Sequence, residues 1–96
     1  MRSHARAVVI GGGVVGVGTL YHLAKKGWSD SVLLERKELT SGSTWHAAGL
    51  LPLFNMSYSV GQIHKYSVNF YKELEAETGQ DVGLRQVSNI RLAMNQ

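Results

Sequence analysis

Five of the eleven glycines fall between Gly11 and Gly18, directly behind the apolar run Ala7-Val8-Val9-Ile10. A short, β-branched run with no polar interruption suits a strand buried on both faces, as in a parallel sheet. The glycines stop it, and helical spacing takes over. Val14, Val17, Leu20, Tyr21, Leu23 and Ala24 share one side. Lys25-Lys26-Gly27 closes that segment, with lysines for the negative helix end and a glycine free to take a left-handed cap. Ser31-Val32-Leu33-Leu34 reads as a second strand ending at Glu35. Strand, crossover helix and strand within about 30 residues make a βαβ unit, right-handed in nearly all known cases.

Gly11-Gly12-Gly13-Val14-Val15-Gly16 fits G-x-G-x-x-G, and Glu35 follows Gly16 by nineteen residues. Glycines alone could serve a tight strand-to-helix turn that binds nothing. Their place between strand and helix, with an acid at the end of the next strand, is what a dinucleotide-binding turn requires. Gly11 would make the turn, Gly13 would admit a pyrophosphate against the backbone, and Gly16 would let helix and strand pack closely. The N–H groups at the helix start, around Val14 and Val15, would stabilise phosphate charge. Glu35 would accept hydrogen bonds from the ribose hydroxyls and repel a 2′-phosphate. Arg36 beside it alters this little, because adjacent residues at a strand end point apart. The expected ligand is an adenine dinucleotide, FAD or NAD.

Composition narrows the remaining classes. The apolar share of 44% and charged share of 18% in 96 residues fit a soluble globular chain. Without cysteine, thiol catalysis, disulfides and thiolate metal sites are excluded for this segment. The net charge of +3 is spread along the chain and forms no nucleic-acid footprint. The glycine-broken apolar run over residues 7–20 falls short of the ~20 apolar residues that a membrane span needs. The few residues before it are too short for a targeting leader, so a cytoplasmic location is expected. No set of histidines and carboxylates has metal-ligand spacing.

Residues 36–58 carry little periodicity and much Ser, Thr, Gly and Ala. They read as a long functional loop holding a short helix, suited to running along an extended ligand. Ser59 with Gln62 suggests a capping box opening a helix over about 60–78. Its apolar side would be Val60, Ile63, Ser67, Phe70 and Leu74, with Gly79 as the stop. Alternation over 89–94 predicts a half-buried strand. Two strands of the parallel kind are too few for a doubly wound domain. We therefore expect the N-terminal part of a larger FAD/NAD(P)-type domain.

The stretches "VVIGGGVVGVGTLYHLAKKG", "VLLERKELTSGSTWHAAGL" and "YKELEAETGQDVGLRQVSNIRLA" together resemble the start of the dimethylglycine and sarcosine dehydrogenase family. These are FAD enzymes of the D-amino-acid-oxidase-like group. The likeness covers nearly all of residues 6–94, and "SGSTWHAAG" is its most specific part. It implies that Gly11, Gly13, Gly16 and Glu35 hold the ADP half of FAD. Ser41, Gly42, Ser43 and Thr44 would lie near the pyrophosphate and ribityl chain. His46 matches the histidine that this family bonds covalently to the flavin's benzenoid methyl carbon, and Ala47, Ala48 and Gly49 would let the ring lie close to backbone. Trp45 is expected to pack beside the flavin, and His22 and His64 to take core or surface places on their helices. One departure is Leu20, where many members carry a small residue at the helix–strand crossing; Gly18 nearby could relieve the crowding.

The implied activity is FAD-dependent oxidation of small N-methylated amino acids. Implied partners are a tetrahydrofolate-binding C-terminal region and an electron-transfer flavoprotein or oxygen; no catalytic acid or base within these residues is identified. Two rivals stand beside it. One is a silent regulatory homologue, such as a phosphatase regulatory subunit. The other is an NAD-dependent dehydrogenase, in which residues 36–58 would be an unexplained insertion.

Overall fold

Strands β1 (Ala7–Ile10) and β2 (Ser31–Leu34) pair in parallel in a computed structural model that describes residues 3–94. Ala7 stands opposite Ser31 and Ile10 opposite Leu34. Helix α1 (Val14–Lys25) connects them and packs on both, so the three elements form the βαβ unit. Its C-terminus is closed as the sequence requires. Gly27 takes φ +89, and the N–H groups of Lys26, Gly27 and Trp28 turn back to carbonyls at 22–24. Gly27 meets no Cβ penalty in that conformation.

Pleat parity divides the sheet's side chains. Ala7, Val9, Ser31 and Leu33 share one face, and all four are half-buried. Val8 and Ile10 stand on the other with Leu34, and Ile10 is 85% exposed. An apolar strand face left open to this extent is what two strands alone must show.

Contacts divide the chain into two compact units at Ala48/Gly49. The first holds the βαβ unit and a single 3₁₀ turn, Ser43–His46. The second is built on helix α2 (Tyr58–Thr78), closed by Gly79 at φ +70. The expected capping box does not form. Ser57 is the N-cap, without a side-chain cap bond, and Ser59 lies inside the helix. A side chain upstream braces the start instead: Asn55 Oδ1 accepts the Ser57 N–H at 2.8 Å.

The less exposed stripe of α2 runs through Gly61, His64, Ser67, Val68, Phe70, Tyr71 and Leu74, and Val68 at 8% exposure is the buried apolar residue among those described. Val60 and Ile63, expected on the covered side, are exposed. His64 Nδ1 donates to the Pro52 carbonyl at 2.6 Å, which holds this stripe to the preceding coil. Residues 89–94 form no strand. Alternation supplies a pleat, but a strand also needs a neighbour to pair with, and alternation alone does not supply one. No helix among the described residues is long and apolar enough to cross a membrane.

Candidate functional site

Gly11 turns the chain off β1 with φ +106, a conformation only glycine takes without strain. Its N–H still pairs with the Leu34 carbonyl at 2.8 Å, so the sheet runs directly into the turn. Gly13 is the N-cap of α1, in extended conformation. By their place in the first helical turn, the N–H groups of Val15 and Gly16 have no acceptor within the helix. Gly16 is where helix meets strand: a Cβ there would overlap the Gly11 carbonyl and come within 3.5 Å of Val9 Cγ1. Gly18 has open space around it. It relieves no crowding from Leu20, because the crossing is at Gly16 and not one turn later.

Glu35 reaches back across the end of the sheet. Its Oε2 accepts the Gly12 N–H at 2.7 Å and its Oε1 accepts the Lys37 N–H at 2.9 Å. These backbone bonds, the Gly12 one foremost, hold the carboxyl below its ordinary pKa, because both favour the charged form. An ionised carboxylate has about four lone-pair sites, more than the backbone N–H groups of Gly12, Lys37 and Arg36 use. Arg36 is exposed and adds only a minor favourable charge.

The segment after Glu35 folds down onto the glycine turn. Leu39 lies over Gly12, where a Cβ would sit 2.6 Å from Leu39 Cδ2. The Thr40 N–H donates to the Gly12 carbonyl at 2.9 Å, and the Thr40 carbonyl accepts the Trp45 N–H at 3.1 Å. Thr40 does this at φ +68, costly for a β-branched residue. Thr44 Oγ1 accepts the Val14 N–H at 2.9 Å. His46 Nδ1 lies 3.0 Å from the Gly42 carbonyl, which can only accept, so Nδ1 carries the proton. In the neutral ring the lone pair is then on Nε2.

The structure thus gathers Gly11, Gly13, Val14, Gly16, Glu35 and Thr44 by direct contacts, and His46 through its turn. Ser41, Gly42, Ser43, Ala47, Ala48 and Gly49 are exposed and lie along the same segment. Trp45 is 75% exposed and meets the His46 ring edge-on at 6.4 Å between centroids. His22 Nδ1 donates to the Gly18 carbonyl within α1. Sequence reasoning missed Gly12, Leu39 and Thr40. Only the middle glycine of the triplet, at a position the fingerprint leaves open, signalled them.

The arrangement fits an FAD-type cofactor. It offers first-turn N–H donors beside bare glycines, an ionised carboxylate with free acceptor sites, and an imidazole with one nitrogen lone pair, all at the carboxyl ends of parallel strands, where such sheets bind nucleotides.

Comparison with known proteins gives a consistent picture. The family described as FAD dependent oxidoreductase matches residues 6–96. Human mitochondrial dimethylglycine dehydrogenase is 54% identical over 96% of this chain and 11% of its own length. Human mitochondrial sarcosine dehydrogenase is 48% identical over 97% of this chain and 10% of its own. The mouse mitochondrial pyruvate dehydrogenase phosphatase regulatory subunit is 40% identical over 98% of this chain and 11% of its own. The chain spans about a tenth of the length of these relatives.

Proposed function

The chain belongs to the FAD-dependent oxidoreductase family, and from that premise we propose that it is the cofactor-binding start of an amine dehydrogenase or oxidase acting on small N-methylated amino acids. Dimethylglycine and sarcosine, named in two of the relatives, are the proposed substrates. The observation that carries the reading is the docking of the histidine-bearing turn onto the glycine turn, through Thr40 and Thr44. An NAD-binding turn has no use for it.

Within this reading the glycine turn and the first turn of α1 hold the diphosphate, Glu35 holds the adenosine ribose, and residues 41–49 follow the rest of the cofactor. FAD bound there supplies a two-electron acceptor for hydride from the substrate's N-methyl carbon. The iminium left behind is hydrolysed by water or captured by tetrahydrofolate. An electron-transfer flavoprotein or oxygen then takes the electrons.

His46 is proposed to bond the flavin covalently. Gly42 holds the Nδ1 proton and leaves Nε2 as the nucleophile. FAD held there would supply an electrophilic methyl carbon to the Nε2 lone pair; joining the two would release one methyl proton to water and two electrons to the acceptor that serves turnover.

The test uses the full-length polypeptide carrying this segment. Acid precipitation should leave fluorescent flavin with the protein, and His46→Ala should abolish that while keeping noncovalent FAD. All flavin found in the acid supernatant of the wild type would overturn the attachment. Likeness to the phosphatase regulatory subunit favours a second reading, a non-catalytic homologue. Turnover of dimethylglycine or sarcosine excludes it.

A further inference from the structure

Thr44 is the half-buried member of an otherwise exposed run, residues 41–49. Its hydroxyl oxygen accepts the first N–H of α1 at 2.9 Å and sits where a Cβ on Gly13 would come within 2.9 Å of it. A hydroxyl that accepts a first-turn N–H caps a helix. This cap comes from a distant segment, since Gly13, the N-cap itself, has no side chain to offer. The bare α-carbon at position 13 is therefore already filled by the chain.

Thr44 also belongs to the 3₁₀ turn Ser43–His46. The backbone bond between Thr40 and Gly12 ties down the start of the loop, and the Thr44 hydroxyl ties down the turn that carries the imidazole. Between the two lies Gly42, whose carbonyl orients the His46 ring. We propose that Thr44 is a positioning residue for His46: its hydroxyl latches the histidine turn to the glycine turn, and Gly13 must lack a side chain to admit it. The claim rests on the FAD reading of the site. It gives Gly13 a second duty beyond closeness to a diphosphate, and it couples two segments that the fingerprint treats separately.

The experiment compares Thr44→Ala, Thr44→Val and Thr44→Ser in the full-length polypeptide. Amide exchange at Val14 in FAD-free protein should quicken about tenfold in the Ala and Val variants and return to the wild-type rate with Ser. The rate of acid-stable flavin formation should fall about tenfold or more in the same two variants, as expected when a reacting group is misplaced. FAD affinity, measured against His46→Ala alone, should fall by a much smaller factor than the incorporation rate. Gly13→Ala should quicken Val14 exchange in wild type and add nothing in Thr44→Ala, where no hydroxyl remains to be displaced.

Unchanged Val14 exchange in Thr44→Val would overturn the latch. So would an affinity loss as steep as the incorporation loss, which would make Thr44 a phosphate ligand. If the wild type forms no acid-stable flavin, the attachment proposal fails by itself. The exchange data on Thr44→Val and on the Gly13→Ala pair then decide the latch without it.

Discussion

Both oxygens of Glu35 receive backbone N–H groups, so its ionised form is built into the glycine turn. Its pKa in the folded chain is lowered. The stability it contributes is therefore complete above the ordinary carboxylate pKa, about 4.3, and lost as pH falls through the lowered value. Acidification below about pH 4.3 should release FAD and raise Gly12 amide exchange together. Glu35→Gln should bind FAD more weakly at neutral pH and show no such acid limb. An acid limb that survives the substitution would assign it to another group. Glu35 was legible in the sequence because one strand end and one spacing define it. Thr40 was not: a β-branched residue at φ +68 breaks local preference, and only pairing with Gly12 and Trp45 makes it hold.

Element packing separates two glycines that the sequence shows side by side. At Gly16 a methyl group would overlap backbone of the Gly11 turn, whereas at Gly18 it would meet nothing. Gly16→Ala should destabilise the fold by about 3 kcal/mol, the upper range for overpacking. Gly18→Ala should be neutral or stabilise by up to about 1 kcal/mol through helix propensity. Melting the two variants beside wild type tests the pair, and equal effects would refute the assigned crossing. The strand–helix–strand unit could be read in advance because period and glycine placement agree at every step. The strand expected over 89–94 failed for the opposite reason, since alternation says nothing about whether a neighbour exists. On α2, spacing identified the helix and placed Ser67, Phe70 and Leu74 on its less exposed side, but it put Val60 and Ile63 there too and missed His64, whose bond to Pro52 depends on coil that carries no periodic signal.

At the scale of the whole molecule, the uncovered sheet face sets Val8, Ile10 and Leu34 against open surroundings. We expect the longer polypeptide proposed above to cover it. Ile10→Ala should then cost about 2 kcal/mol or more there, as a core truncation does. In the 96-residue chain, where Ile10 is 85% exposed, the same change should stay within about 0.5 kcal/mol. Chemical denaturation of both settles it, and equal costs would mean that the face stays open. The parallel pairing of β1 and β2 has a further consequence. Trp45 hangs beyond the carboxyl ends of the strands, while Trp28 lies by their amino ends, under the Arg6 guanidinium at 3.9 Å. The molecule thereby carries two native fluorophores on opposite rims, one beside the proposed cofactor site and one remote from it, so replacing either by Phe leaves a reporter of a single rim.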